Sequence, residues 1–212
     1  MKSEDKIYQF KITLKGISPK IWRCMLIQSD STLADLHNII QIVMGWTDCY
    51  LNEFIISKQY YSIPNILGNI SPSSYTGKNI KLSDLKLKIN KSFLYKYDFM
   101  AKWKFNITLE KKLPIDHKII YPVCVSGAGA SPDEECGGAD CFKDQMDYWK
   151  YETYKVYEEL VRAFADGKNA NKRICDVVDI ERIEQAQYWK NIDKYEYKDI
   201  NKQLRFYAKD RR

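Results

Sequence analysis

Residues 18–46 read SPKIWRCMLIQSDSTLADLHNIIQIVMGW, and this stretch predicts a strand followed by a helix. The apolar residues within 21–27 favour a β-strand. Thr32 and Asp35 have the spacing of a capping box at a helix start. The residues that follow recur at helical intervals: Leu33, Leu36, Ile39, Ile40, Val43 and Met44. Gly45 favours the end of this helix, because glycine adopts the left-handed conformation at little cost.

The sequence on both sides of this helix is typical of antiparallel strands. Residues 7–14 alternate apolar with polar and predict a strand that pairs with 21–27. Residues 50–57 predict another strand, and residues 93–99 and 103–109 predict a hairpin. Residues 58–79 and 113–141 are rich in turn formers and predict loops. Strands followed by helices predict an α+β fold, with a core over residues 1–142 and a helical region over residues 143–212.

Composition narrows the class of protein. The chain has 212 residues, a net charge of +6 and 45% hydrophobic residues, values of an ordinary globular protein. They exclude a disordered tail, a collagen-like chain and a simple heptad coiled coil. The absence of an apolar run of signal-peptide or membrane-span length predicts a cytoplasmic protein without membrane contact. In that compartment the six cysteines do not predict a disulfide framework.

Three cysteines share the Gly- and Pro-rich segment and suggest metal ligation. Short flexible spacings allow thiolates to converge on a tetrahedral zinc ion, which would stabilise a loop that lacks secondary structure. The predicted ligands of this structural zinc are Cys124, Cys136, Cys141 and His117. Asp140 is an alternative fourth ligand, and Cys49 is a more distant one. The competing interpretation is that these are buried free thiols beside a tight Gly137-Gly138 turn.

Residues 78–112 are strongly basic, with ten lysines against three acidic residues. Tyrosine and tryptophan are interleaved with the lysines, a pattern that favours contact with a phosphate backbone or a nucleoprotein. The predicted contact residues are Lys86, Lys88, Lys91, Lys96, Lys102 and Lys104. Lysines that alternate with apolar residues are also typical of the solvent face of a strand. Both interpretations remain open at this point.

Two further features have a functional and an ordinary interpretation. His37 lies in the predicted helix, where it is either a ligand or a side chain bonded to a neighbour. An acidic cluster follows in the second loop, formed by Asp133, Glu134, Glu135 and Asp140. This cluster either attracts a basic partner or a cation, or is a solvated loop.

The motifs of common enzyme classes are missing from the sequence. There is no Gly-x-Ser-x-Gly elbow, no phosphate-binding loop, no Gly-x-Gly-x-x-Gly and no His-Glu-x-x-His. The chain has two histidines, which leaves few candidates for the histidine of a catalytic triad. Arg23 is isolated in the N-terminal half, which argues against a resolvase-type serine surrounded by arginines. The sequence therefore predicts a protein that is not an enzyme.

Several blocks occur in an order that resembles one family. They are residues 18–23 (SPKIWR), 33–41 (LADLHNIIQ), 44–46 (MGW), 97–99 (YDF) and 121–124 (YPVC), with a closing segment around Tyr195, Tyr197, Asn201 and Arg205. Together they resemble the plasmid pRiA4b ORF-3-like family, some members of which are described as transposon-passenger, resolvase-like proteins. The resemblance implies an α+β fold, carriage on mobile elements and no established enzymatic reaction.

The chain departs from the family pattern at three places. The family usually has histidine after the Gly-Trp pair, where this chain has Tyr50 and Asn52. It usually has Gly-Asp after Tyr-Asp-Phe, where this chain has Met100-Ala101. It usually has histidine two residues after the next tryptophan, where this chain has Phe105. Phenyl and amide groups neither ligate metals nor transfer protons as imidazole does, so any such chemistry in relatives is doubtful here.

These observations predict a non-catalytic binding protein of mobile-element origin with a large protein or nucleoprotein partner. Its most specific form is an anti-CRISPR-type inhibitor of a CRISPR effector nuclease, acting by occlusion of a nucleic-acid path or a mobile lobe. The first alternative is a DNA- or RNA-binding accessory protein of a plasmid or transposon. The second alternative is a metal-dependent enzyme with an open coordination position.

Overall fold

One eight-stranded sheet and four helices form the part of the chain that the computed structural model describes, residues 6–165, 179–192, 194–195 and 197–210. The strands are β1 (Lys6–Leu14), β2 (Trp22–Gln28), β3 (Asn52–Ile56), β4 (Gln59–Ser62), β5 (Tyr75–Thr76), β6 (Ser92–Tyr97), β7 (Trp103–Pro114) and β8 (Val123–Ala128). Their order is β5-β4-β3-β6-β7-β1-β2-β8. Neighbouring strands are antiparallel except β4 and β5, which are parallel.

The helices are α1 (Leu33–Met44), α2 (Ala139–Ala165), α3 (Ile180–Lys190) and α4 (Lys198–Asp210). The predicted capping box of α1 is present: the Asp35 amide donates to the Thr32 hydroxyl at 3.1 Å, and the Thr32 amide donates to the Asp35 carboxylate at 2.6 Å. Gly45 ends α1 with a φ of 70°, in the left-handed region. No described helix is long and apolar enough to cross a lipid bilayer.

The core lies between α1 and one face of the sheet. Buried side chains alternate with more exposed ones over residues 8–14 of β1 and 103–110 of β7. The apolar stripe of α1 covers the buried face, with Leu36, Ile39 and Val43 fully buried. The opposite face of the sheet carries partly exposed polar and charged residues. These observations confirm the predicted α+β class.

The C-terminal helices add to this core. Phe142, Trp189 and Leu204 belong to the same buried cluster as the sheet residues. The Asn201 side chain bonds both the amide and the carbonyl of Cys124 at 2.8 Å, which attaches α4 to the edge strand β8. The Tyr207 hydroxyl donates to the Asp35 carboxylate at 2.7 Å, so that α4 also contacts α1.

The structure differs from the sequence expectations in two loops. β4 and β5 lie within residues 58–79, and β8 lies within residues 113–141, where loops were predicted. These strands are short and lie at or next to the sheet edges, so they lack the long alternating pattern of β1 or β7. Helix α2 begins at Ala139, so the predicted boundary between the core and the helical region, between residues 142 and 143, lies within this helix.

Candidate functional site

Arg23 is a buried cation held by neutral partners. Its Nε donates to the Val43 carbonyl at 3.3 Å, and Nη1 donates to the carbonyls of Trp22 and Ala128, both at 2.9 Å. Nη2 donates to the Ser131 hydroxyl at 2.9 Å. The Tyr195 ring lies 3.6 Å from the guanidinium carbon. Burial lowers the pKa of Arg23 to about 10. This side chain joins β2, the end of α1, β8 and the following loop.

His37 lies in a buried chain of hydrogen bonds. Its Nε2 is 2.8 Å from Asp48 Oδ1 and its Nδ1 is 2.6 Å from the Tyr95 hydroxyl. Gln41 Nε2 donates to the same hydroxyl at 3.1 Å. We therefore assign the Tyr95 proton to the bond with Nδ1 and the imidazole proton to Nε2, which satisfies each group.

The Asp48, His37 and Tyr95 chain has the connectivity of a catalytic relay but not its accessibility. Tyr95 and His37 are fully buried, and burial raises the pKa of the Tyr95 phenol well above its usual value. A nucleophile must reach its substrate, and this hydroxyl lies inside the core. The arrangement matches the ordinary interpretation of His37, a helix side chain bonded to its neighbours.

Glu134 cross-links two loops. Its carboxylate accepts from the Tyr97 hydroxyl and from both the amide and the hydroxyl of Thr47, the latter two at 2.7 Å. Burial and the bond to Glu134 raise the pKa of the Tyr97 phenol above its usual range. Trp46 Nε1 also donates to the Pro132 carbonyl at 3.0 Å. The segment after α1 is thereby fixed against residues 131–136.

A groove of about 690 Å³ lies between these two loops and the helices α2 and α3. We call it the acidic groove. Its acidic lining residues are Asp133, Glu134 and Glu135, and its aromatic ones are Trp46, Phe142, Tyr188 and Trp189. None of its described lining residues is lysine, arginine or histidine.

The pKa values of two tyrosines at the acidic groove are raised by nearby acidic groups and by burial. The Tyr50 hydroxyl, beside the groove, donates to the Glu135 carboxylate at 2.8 Å, and this bond raises the pKa of Tyr50 to about 12. Burial, with the nearby Cys136 and Asp133, raises the pKa of Tyr188 to about 12. Both tyrosines are therefore neutral hydrogen-bonding groups at neutral pH.

The predicted zinc ligands lie in different surroundings. Cys124 is buried on β8, with its thiol 3.5 Å from the Ser126 carbonyl and 3.4 Å from the Tyr195 hydroxyl. Cys136 is partly buried, and its thiol donates to the Gly138 carbonyl at 4.0 Å. Cys141 is exposed on α2, and His117 is exposed in the loop after β7.

This placement does not assemble a metal site. Within the described ranges, which include all four residues, no three or more His, Cys, Asp or Glu side chains are grouped to hold a metal ion. The alternative ligands are also engaged elsewhere: Asp140 pairs with Lys143 at 2.8 Å, and Thr47 donates to the Cys49 thiol at 3.2 Å. The donor set therefore does not fit a closed tetrahedral zinc centre. The physical reason is β8, which holds Cys124 in the sheet.

The predicted contact lysines, in contrast, lie within one stretch of the chain, residues 86–104. Lys86, Lys88 and Lys91 lie just before β6, Lys96 lies on β6, Lys102 lies in the turn and Lys104 lies on β7. We call these six residues the lysine track. Lys96 and Lys104 are directly opposite each other on the partly exposed face of the sheet. The repulsion between them is moderated by Glu53, whose carboxylate is 3.0 Å from Lys96 Nζ.

Comparison with known proteins places the chain among its relatives. The model of the plasmid pRiA4b ORF-3-like protein family matches residues 6–198. The chain belongs to this family. This membership confirms the resemblance found in the sequence and associates the chain with mobile elements.

Two relatives of the chain illustrate the family. The uncharacterized protein y4hQ of Sinorhizobium fredii is 28% identical over 132 residues, which are 62% of this chain and 67% of that protein. A crystal structure of MM3350, a protein of unknown function from Methanosarcina mazei, has a TM-score of 0.60 and 28% identity. The structural match covers 94% of this chain and 98% of the MM3350 chain.

Three of the positions that depart from the family pattern are occupied by packing residues, whereas a fourth, Met100, is 90% exposed. The Tyr50 ring is 6.0 Å from that of Tyr97, and the Phe105 ring is 5.6 Å from that of Trp46. Asn52 is buried and bonds the amide and carbonyl of Ile63 at 2.9 and 2.8 Å. These side chains stabilise the region around the acidic groove and supply no proton-transfer group.

Sequence reasoning missed the roles of Arg23 and Trp189. Arg23 alternates with Met25 and Ile27 on the buried side of β2, and a charged residue in such a register is a signal for a buried cation. Trp189 lines the acidic groove together with Trp46. No local signal places it opposite Trp46, because the two residues come from distant parts of the chain.

Proposed function

We propose that this family member is a non-catalytic binding protein that inhibits a host-defence nucleoprotein machine, in its specific form a CRISPR effector nuclease. The observation that carries the proposal is the lysine track, with three lysines in the segment before β6 and three on the β6–β7 hairpin. Membership of a plasmid-derived family provides the biological context.

The lysine track is suited to a phosphate backbone. Lys96 and Lys104 are cross-strand neighbours on β6 and β7, Lys102 lies in the turn between these strands, and the other three lysines lie in the segment before β6. Five of its lysines are exposed, and Lys96 is partly exposed. Such a group of cations binds a phosphate backbone through counterion release and would inhibit by covering the nucleic-acid strand itself.

The buried polar groups support a binding role rather than a catalytic one. His37 is bonded on both ring nitrogens, and Glu134 accepts three hydrogen bonds from within the chain. A catalytic acid or base requires a free position facing the substrate. Inhibition by binding needs area and complementary charge, which an extended basic hairpin offers.

The test is a pull-down and cleavage assay with purified CRISPR effectors. The variant carries Lys88→Gln, Lys102→Gln and Lys104→Gln, and the matched control carries Lys198→Gln, Lys202→Gln and Lys209→Gln on α4. We expect the wild type and the control to inhibit cleavage equally, and the track variant to lose inhibition by about tenfold or more. Unimpaired cleavage at micromolar wild-type protein overturns the proposal.

A second candidate function rests on the same track: a DNA- or RNA-binding accessory protein. It predicts direct binding to naked nucleic acid, with an affinity that falls steeply as salt rises. Fluorescence anisotropy with a labelled oligonucleotide between low and physiological salt measures this. A flat salt response or no binding at low salt contradicts the accessory role and leaves the nucleoprotein as the partner.

A further inference from the structure

We propose that the outer face of α2 docks against the same face of a second copy of this chain, with the two helices antiparallel. Five large side chains project from α2, and each is 59–69% exposed: Tyr148, Tyr151, Tyr154, Val161 and Phe164. Neither the family match nor the two relatives assign a partner to this surface, and the inference does not depend on the lysine track.

The first argument is the spacing of the exposed residues along α2. They recur at alternating intervals of four and three, and we call them the α2 seam: Asp147, Tyr151, Tyr154, Glu158, Val161 and Ala165. This is the spacing at which one face of an α-helix meets a partner helix. The seam is about 27 Å long, and Tyr148 and Phe164 flank it near its two ends.

The second argument is that the opposite face of α2 is already packed against α3. Val156 and Ala186 form a buried cluster between the two helices. Arg182 on α3 donates to Glu152 at 2.9 Å and to Glu159 at 2.7 Å. A surface helix needs one apolar stripe to join its own fold, and α2 has a second one that the described residues leave exposed. Contiguous exposed apolar surface of this kind marks an interaction site.

The third argument is the amount of apolar surface. A covered aromatic side chain buries about 150–250 Å². The four large aromatic side chains on the outer face are each about two-thirds exposed, so two copies together offer on the order of 1,000 Å². A specific protein–protein interface buries about 1,000 Å² or more in total, so the face is large enough for a dimer.

The fourth argument is charge, which favours a second copy over a nucleic acid or an acidic protein. The chain has a net charge of +6, yet the exposed charges of the seam and its flanks are two acids and two bases: Asp147, Glu158, Lys150 and Arg162. Lys155, which also flanks the seam, is paired with Glu152 at 3.0 Å. A face with balanced charge does not repel its own copy.

The orientation follows from the same residues. An antiparallel seam places Tyr151 level with Val161 of the second copy, and Tyr154 level with Glu158 of the second copy. The Tyr154 phenol can then donate to that carboxylate, and two-fold symmetry repeats the contact. Lys150 lies on the same side of the seam as Phe164 of the second copy, so that a cation meets an aromatic ring. A parallel pair would instead bring the two Glu158 carboxylates together.

The test is sedimentation of the full chain at concentrations from about 1 to 200 μM. We expect the mass to rise with concentration from 25.0 kDa to twice that value. A chain that stays monomeric over the whole range overturns the proposal and leaves an unlike protein as the occupant of this face.

Two substitutions at one position test the seam itself. Tyr154→Glu brings a carboxylate against Glu158 of the second copy, whereas Tyr154→Lys brings the opposite charge. We expect the Tyr154→Glu dimer to be weaker than the Tyr154→Lys dimer by about tenfold or more. Adding Glu158→Lys to Tyr154→Glu restores opposite charges across the seam and should recover the dimer.

Tyr75→Glu is the matched control, since Tyr75 is an equally exposed tyrosine on β5. We expect it to leave dimerisation unchanged, with circular dichroism verifying the fold of every variant. A dimer that Tyr154→Glu does not weaken, or that Tyr75→Glu weakens as much, overturns the proposal. Equal dimerisation of the two Tyr154 variants overturns the antiparallel pairing.

Discussion

Two regions of the molecule differ in the contacts that stabilise each of them. The sheet and α1 form the first region, the body, and α2 and α3 form the second, the helical pair. In the body, Arg23 and Glu134 are buried and bonded on all sides. The helical pair has a small cluster of its own around Val156 and Ala186 and surface ion pairs from Arg182.

The two regions also differ in their buried polar atoms that lack a hydrogen bond. Among the residues that the structure describes, Thr153 Oγ1 and Trp189 Nε1 in the helical pair are buried without a partner, whereas the body has one such atom, Gln41 Oε1. Because exposed ion pairs contribute little and unpaired buried groups are costly, we expect the helical pair to open before the body. The acidic groove lies where the two regions meet, so its rigid wall comes from the body and its adjustable wall from the pair.

The largest effect is expected from Arg23→Met in the body. The substitution leaves the carbonyls of Val43, Trp22 and Ala128 without their donor, so we expect a loss of about 3–5 kcal/mol in the free energy of unfolding. Denaturant titration measures it. Arg162→Met, at an exposed position on α2, is the matched control and should cost under about 0.5 kcal/mol. Equal stability of the two variants would show that the body does not depend on this cation.

A smaller effect in the same region is expected from Glu134→Ala. It leaves the Tyr97 hydroxyl proton and the Thr47 amide without an acceptor, at a cost of about 2–4 kcal/mol. Adding Tyr97→Phe to Glu134→Ala removes one of the orphaned groups, so the double variant should be less destabilised than the sum of the single ones. Additive effects in this thermodynamic cycle contradict the coupling between the two side chains.

A further test probes the helical pair through pH. Bonds from Arg182 and Lys155 lower the pKa of Glu152 below its usual value, so the folded pair binds fewer protons than the unfolded chain near that pH. The stability from this group is present above the ordinary pKa of about 4.3 and is lost as pH falls through the folded value. The protection factors of the amides in α2 and α3, corrected for the pH dependence of intrinsic exchange, should therefore fall on acidification, and less so in Glu152→Gln. An identical acid response in both proteins contradicts this.

The smallest effect is expected from Cys136→Ser. Its thiol makes one long contact with Gly138 and shares no assembled donor group in the described residues, so a nearly isosteric hydroxyl should cost under about 1 kcal/mol. Thermal melts together with elemental analysis of both proteins measure this. A large drop in melting temperature with release of stoichiometric zinc would reinstate the metal site that the sequence predicted.

The parts of the fold that follow from local signals were predictable. The capping box and Gly45 set the bounds of α1, and alternation identified β1, β2, β6 and β7. The basic character of residues 78–112 was visible in the sequence because its lysines lie close together along the chain, and their role in binding stays a prediction. Local patterns are reliable where short-range spacing determines the structure.

The remainder depends on contacts between distant residues. β8 pairs with β2 and separates Cys124 from Cys136, and cysteine spacing alone does not reveal this. The acidic groove combines residues from positions 44–47, 131–145 and 185–189. The acidic cluster was noted in the sequence, but the aromatic half of its surroundings depends on how α3 packs. Tertiary geometry of this kind is not encoded in any short window.

The stacking of Tyr195 on Arg23 has a consequence for synthesis. The ribosome synthesises Tyr195 long after Arg23. The Tyr207 contact with Asp35 likewise joins residues that are 172 positions apart in the sequence. During translation the first hairpin therefore exists with its guanidinium still hydrated, and β8 remains without the Asn201 clamp. We expect a nascent chain stalled before residue 195 to remain sensitive to protease at β8, with protection gained when α4 emerges from the exit tunnel.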